Sequence, residues 1–97
     1  MDMIVKRTDS NQKEIMDALR KAGYSVFDLH CVGKGFPDII VGCHNHNILV
    51  EIKSEGGKLN ELEHKFFNTW QGPMCVVNSV EEALTSVDKV VRYLENK

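Results

Sequence analysis

Three charged residues near the middle of the sequence have the types and the spacing for metal-dependent phosphodiester chemistry. Asp38, Glu51 and Lys53 form the pattern D-x12-E-x-K. Two carboxylates held together bind hard divalent cations such as Mg2+ or Mn2+, with water completing the coordination shell. A neighbouring ammonium group can stabilise the charge that develops when a phosphodiester bond is hydrolysed. The pattern therefore predicts a nuclease-type site.

The local sequence predicts that these residues meet. Asp38 begins one β-branched run and Glu51 lies near the end of the next, with a short polar segment between the runs. An antiparallel hairpin brings these two positions to the same end of a sheet. Because strand side chains repeat every second residue, Lys53 should project from the same face as Glu51. The backbone carbonyl of Ile52, which lies between them, is a further candidate metal ligand.

A plainer interpretation of the same residues is also open. An aspartate after a proline, as Asp38 is after Pro37, often only begins a turn. A Glu-x-Lys pair at a strand edge is often a solvated ion pair. The catalytic interpretation therefore depends on all three residues coming together in one place.

The remaining chain predicts a single α/β domain that spans residues 1–97, with residues 1–8 as a loose N-terminal arm. Caps and hydrophobic periodicity give the order α-β-β-β-α-β-α, a mixed sheet flanked by helices. The predicted elements are a helix from the cap Asp9 or Ser10 to Gly23, strands at 24–32, 38–41, 48–52 and 74–77, and helices after the caps Asn60 and Ser79. The strand at 74–77 is wholly apolar, which predicts that both of its faces are covered.

Composition narrows the class of protein. No apolar stretch is long enough for a membrane span, and no signal-peptide pattern is present, so we expect a cytoplasmic protein. Cys31, Cys43 and Cys75 are odd in number and scattered, which is typical of reduced thiols, and their spacing to the histidines does not match a zinc site. The net charge of −2 argues against a strongly basic, nonspecific nucleic-acid binder.

The motifs resemble those of a known nuclease family. The segment GFPDIIVG at 35–42, followed by LVEIK at 49–53, is similar to the virus-type replication-repair nuclease (VRR-NUC) domain, a branch of the PD-(D/E)xK superfamily common in phages. The resemblance runs from about Asn11 to Leu84. It includes the segments NQKEI at 11–15, LHCVG at 29–33, WQG at 70–72 and SVEEA at 79–83.

The resemblance implies a restriction-endonuclease-like core and a stand-alone enzyme that cuts branched DNA. Asp38 and Glu51 would be metal ligands and Lys53 the catalytic lysine. Glu14 would complete the acidic cluster, although the sequence alone assigns it only a place in the first helical turn, where an acid favours the helix dipole. A homodimer that resolves four-way Holliday junctions is the activity implied for a single-domain member. The alternatives are a nuclease for flaps or other branched DNA and a non-catalytic DNA-binding module.

A few further residues are candidates for contact with DNA. His30 and Lys34 flank the glycine loop before Asp38, and Lys58 lies in the glycine-containing loop after Lys53, so each could touch phosphate. Exposed loop residues of these types are also often merely solvated. Phe66, Phe67 and Trp70 could stack on bases, but their helical spacing favours a role in the core or in an interface.

Overall fold

The computed structural model describes residues 11–97, and their elements follow the predicted order. They are α1 (Gln12–Lys21), β1 (Ser25–Asp28), a 3-10 turn (His30–Val32), β2 (Ile39–Cys43), β3 (His46–Ile52), α2 (Glu61–Thr69), β4 (Met74–Val77) and α3 (Val80–Glu95). The predicted loose arm at 1–8 and the helix caps Asp9 and Ser10 lie outside the described residues.

Four strands form one mixed sheet in the order β1-β2-β3-β4. The pairs β1/β2 and β2/β3 are antiparallel, and β3/β4 is parallel. β3 and β4 are parallel because the connection between them, which contains α2, returns the chain to the end of the sheet where β3 begins. The predicted mixed sheet flanked by helices is confirmed, and β3 is one of its two inner strands.

The hydrophobic core lies between one face of the sheet and the helices α1 and α3, which contact each other as well as the strands. Ile15 and Leu19, four residues apart on α1, are fully buried there. The buried core side chains of the sheet and of α3 are Val26, Ile39, Val41, Ile48, Val50, Ile52, Val77, Ala83, Val87 and Val91. The alternation of buried residues along β2 is that of a strand with one covered face.

Two local predictions are corrected in length. The strand predicted at 24–32 ends at Asp28, because the Asp28 carboxylate accepts the His30 N–H at 2.8 Å and turns the chain into a 3-10 turn. The polar turn predicted between the two central strands is also shorter. Only His44 and Asn45 form it, and both have the positive φ that a two-residue hairpin turn requires.

The predicted burial of β4 is wrong, and of the two roles predicted for the aromatic residues of α2, core or interface, the structure excludes the core. β4 is an edge strand, and only Val77 in it is buried, so the strand is not covered on both faces. The helix α2 contributes no residue to the core. Its Phe67 and Trp70 are more than two-fifths exposed, while Phe66 is half-buried and its ring stands edge-on to Phe36 at 5.1 Å between centroids.

The two later helices begin at the predicted caps. Asn60 and Glu63 form a complete capping box at the start of α2. Ser79 accepts the Glu82 N–H at 3.0 Å, but the Glu82 carboxylate accepts the Asn78 N–H instead of reaching Ser79.

In the part of the chain from residue 11 onward, no helix combines the length and apolar character needed to cross a membrane.

The glycine loop before Asp38 packs directly against the start of α2. Gly35 has φ of +83°, and a Cβ added to it would lie 2.8 Å from the backbone of Leu62. Gly33 has φ of +70°, yet its Cβ would meet nothing within 4 Å. Only glycine at position 35 therefore permits this loop to approach α2 so closely.

We expect Gly35→Ala to lower the free energy of unfolding by more than Gly33→Ala does. Both variants place an alanine at positive φ, which costs about 1 to 3 kcal/mol. Only Gly35→Ala adds the collision with the Leu62 backbone. Urea denaturation of the two variants beside the unaltered protein measures the difference. Equal losses would contradict the close approach of the loop and α2.

Candidate functional site

Asp38 stands at the end of the sheet where β2 begins and β3 ends. Its backbone N–H donates to the Val50 carbonyl at 3.1 Å, which holds it beside the last residues of β3. Its carboxylate Oδ2 accepts the backbone N–H of Ile52 at 2.7 Å. Asp38 is therefore fixed next to the residue that separates Glu51 from Lys53, and the two central strands bring the predicted residues to one end of the sheet.

Glu51 is a buried acid on an inner strand, with 2% of its surface exposed. Burial raises the pKa of its carboxyl to about 8, with further contributions from the negative charges of Asp38 and Glu63 and an opposing one from Lys53. A carboxyl with this pKa holds its proton at neutral pH. A divalent cation would favour the ionised form, because its charge offsets both the burial and the repulsion by Asp38.

Lys53 lies beside Glu51, as the two-residue spacing predicts. Its Nζ is 3.5 Å from Glu51 Oε2 and 2.7 Å from Glu63 Oε1. Its side chain is only 20% exposed. Burial lowers the pKa of Lys53, but the hydrogen bond and the charge of Glu63, together with Glu51, outweigh it and raise that pKa. The lysine is therefore a held cation and not a solvated side chain.

Glu63 also belongs to this group, although in the sequence it is only an acid three residues after the predicted cap Asn60, the spacing of a capping box. Its Oε1 accepts the Asn60 N–H at 2.9 Å and also faces Lys53 Nζ. Burial raises the pKa of Glu63, but the hydrogen bonds from Lys53 and from the Asn60 backbone, with the charge of Lys53, bring it below its usual value. The only sequence signal was that α2 starts soon after Lys53, which places its first turn near the end of β3.

Glu14 is not brought into the same group. It lies in the first turn of α1 and is exposed. The charged groups that shift the pKa of Glu51 are Asp38, Glu63 and Lys53, and Glu14 is not among them. Within residues 11–97, no three His, Cys, Asp or Glu side chains are grouped as the ligands of a metal ion would be.

The oxygen atoms at the end of β2 and β3 nevertheless have the chemistry for a hard cation. Asp38 and Glu51 supply two carboxylates, and Asp38 is close enough for its charge to raise the pKa of Glu51. The N–H of Ile52 points to Asp38. Because the N–H and the C=O of one strand residue point the same way, we expect the Ile52 carbonyl oxygen to point to that side as well. This donor set fits Mg2+ or Mn2+ better than a softer metal.

The residues predicted to contact DNA lie in exposed loops around this end of the sheet. Lys34 and Lys58 are exposed, and Lys34 lines a shallow surface depression with Leu62 and Lys65 of α2. His30 is also exposed, and its Nδ1 lies 2.7 Å from Asp28 Oδ1. The lysines are free to meet phosphate, whereas the His30 ring already has a protein partner.

Comparison with protein families and with curated proteins adds no relative. No protein-family model matches the sequence, and no curated protein matches it either. The resemblance to the VRR-NUC domain is therefore carried by the quoted residues alone and stays a prediction.

The raised pKa of Glu51 predicts that the metal-free protein loses stability as pH rises. From its ordinary value of 4.5 up to about 8, the folded protein holds a proton that the unfolded chain releases. At about 1.4 kcal/mol per pKa unit, the loss across this window is at most about 5 kcal/mol. Glu63 and Asp28, whose pKa values are lowered, are ionised in both states above about pH 5 and do not contribute.

Chemical denaturation in EDTA at pH 5, 6, 7 and 8 measures this effect. Glu51→Gln is the matched control, because glutamine imitates the protonated carboxyl and has no proton to lose. We expect the variant to keep its free energy of unfolding nearly constant across the window while the unaltered protein becomes less stable. Parallel curves for the two proteins would contradict the assignment.

Proposed function

We propose that this protein is a metal-dependent nuclease of the PD-(D/E)xK type that hydrolyses phosphodiester bonds in DNA. The observation that carries the proposal is the placement of Glu51, a buried acid with Asp38 on one side and the Lys53 ammonium 3.5 Å away. A solvated ion pair would leave these side chains exposed. A buried acid with a raised pKa beside a second acid and a lysine is typical of a functional site.

Each residue has a role that its position supports. Asp38 and Glu51, with the Ile52 carbonyl, would hold Mg2+ or Mn2+. A divalent cation bound there supplies Lewis-acid polarisation of a phosphoryl oxygen and lowers the pKa of a bound water. Glu51 must release its proton to act as a ligand, so activity should increase with pH, and a bound cation would lower the pKa at which this release occurs. Lys53 can donate N–H hydrogen bonds to a phosphate oxygen as negative charge develops on it.

The resemblance also assigned Glu14 to the acidic cluster, and we keep it only as a proposed member. Its side chain is exposed in the first turn of α1. Among the residues described, Glu63 is the third acid at Glu51. A variant of Glu14 therefore shows whether this residue is a metal ligand or only a solvated acid. Loss of a ligand should abolish cleavage, whereas loss of a solvated first-turn acid should not.

The proposed substrate is branched DNA, with the four-way Holliday junction first and flaps second. This part of the proposal comes from the resemblance and from the small size of the domain, which offers one site per chain. A homodimer with two-fold symmetry would set two such sites against two strands. The exposed Lys34 and Lys58 would meet the phosphate backbone. We place the activity in the cytoplasm, that of the host cell if a phage encodes the protein.

The rival function is a DNA-binding module without catalysis. One observation favours it, namely that the Lys53 ammonium already has a protein partner in Glu63 at 2.7 Å. A module of this kind would need neither a cation nor the lysine. Cleavage and binding assays on the same DNA separate the two functions.

We expect the protein to cut a labelled four-way junction in Mg2+ or Mn2+ but not in EDTA. Lys53→Ala should lower the cleavage rate by at least about a hundredfold, because removing one transition-state donor typically costs that much. Lys89→Ala, which removes an exposed lysine on α3, is the charge-matched control and should cut normally. Gel-based assays with junction, flap and plain duplex DNA measure the cleavage rates of the unaltered protein and of the two variants.

Two results would count against this account. Binding of the junction without cutting in any metal would favour the non-catalytic module, and the roles of Asp38, Glu51 and Lys53 would be withdrawn. Equal cutting of junction and plain duplex would leave the active site intact but overturn the selectivity for branched DNA.

A further inference from the structure

Among the described residues, the carboxylate nearest to the Lys53 ammonium belongs to α2 and not to the neighbouring strand β3. Lys53 Nζ lies 2.7 Å from Glu63 Oε1 but 3.5 Å from Glu51 Oε2. The side chain of Glu63 is only 15% exposed. An ion pair this short between two largely covered groups is oriented, unlike the mobile pairs of an open surface.

Glu63 is itself rigidly held. Its backbone N–H donates to Asn60 Oδ1 at 2.9 Å, and its Oε1 accepts the Asn60 backbone N–H at the same distance. Both halves of the capping box therefore fix the residue on the first turn of α2. The helix itself abuts the loop before Asp38 through Gly35 and Leu62. The carboxylate that faces Lys53 is thus anchored independently of Lys53.

A lysine needs such an anchor if it is to act on a substrate. Its four-carbon side chain is flexible, and a free ammonium group is strongly hydrated. Holding the group in one orientation before the reaction removes an entropic cost from the reaction itself. The backbone of β3 fixes only the Cα of Lys53, so the placement of Nζ depends on its two carboxylate partners.

We propose that Glu63 is a positioning residue for Lys53. Glu63 holds the Lys53 ammonium group beside Glu51, and the first turn of α2 is therefore part of the active site. This inference rests on the proposed nuclease function. Glu63 does not contact the substrate in this account. It acts through Lys53, while its capping hydrogen bonds serve the helix.

Glu63→Gln separates the positioning role from the capping role. Glutamine is as good as glutamate at this position of a capping box, so α2 should remain formed. The variant loses only the negative charge that faces Lys53. Glu61→Gln is the matched control, because Glu61 is an exposed acid in the same helical turn and its loss changes the net charge equally. Circular dichroism checks that helical content is the same in all three proteins.

The first measurement is single-turnover cleavage of the four-way junction at saturating protein. We expect Glu63→Gln to cut at least about tenfold more slowly, because misplacing a catalytic group by an ångström is enough for such a loss. Its dissociation constant for the junction should not change, because Glu63 does not touch DNA. Glu61→Gln should match the unaltered protein in both quantities.

The second measurement needs no metal and no DNA. In a proton–nitrogen NMR spectrum of the lysine side chains in EDTA, a held ammonium group exchanges its protons slowly with water and gives a separate signal. The Lys53 signal is identified by its absence from Lys53→Ala. We expect it in the unaltered protein and in Glu61→Gln, and we expect it to broaden beyond detection in Glu63→Gln.

The outcomes separate this inference from the function on which it rests. If the unaltered protein cuts no DNA, the proposed function fails, and the ammonium signal still decides whether Glu63 holds Lys53. If the unaltered protein cuts and Glu63→Gln cuts equally fast, the positioning role is overturned whatever the spectrum shows. A Lys53 signal that survives in Glu63→Gln overturns it as well.

Discussion

The burial of Glu51 is the constraint on which the site depends. Glu51 lies on an inner strand and is only 2% exposed, and this burial raises the pKa of its carboxyl to about 8. A chain that only needed stability would place an apolar residue there, as it does at Val50 and Ile52 on the opposite face. The acid costs stability once it ionises, and that cost is understandable if a cation or a substrate later offsets it.

The other charged groups are arranged around that acid by different elements. Asp38 directly precedes β2, Lys53 directly follows β3, and Glu63 lies in the first turn of α2. In this protein α2 acts less as a core helix than as a support for the site. It buries no residue, and its firmest contacts are the capping box, the approach of Gly35 to Leu62, and the packing of Phe66 on Phe36. Phe67 and Trp70 are still more than two-fifths exposed, although the Trp70 ring stacks on Phe66 with 5.3 Å between centroids.

The order of the elements and the meeting of Asp38, Glu51 and Lys53 could be predicted from the sequence, because both follow from local rules. Two β-branched runs around a short polar turn favour a hairpin, and the alternation along a strand then sets Lys53 beside Glu51. The role of Glu63 could not be predicted in this way, because it depends on how the loop after Lys53 returns to the sheet. The same limit applies to β4, whose apolar sequence does not reveal that it is an edge, and to α2, whose apolar stripe does not reveal that the core is already filled by α1 and α3.

The central claim is that Asp38 and Glu51 together hold a divalent cation, and direct titration with Mn2+ tests it. Electron paramagnetic resonance of free Mn2+ at pH 8 would give the affinity for the unaltered protein, for Asp38→Asn and for Glu51→Gln. The account predicts saturable binding to the unaltered protein and at least about tenfold weaker binding to each variant, because each loses one of the carboxylate ligands. Absence of binding to the unaltered protein, or equal binding to all three, would contradict it.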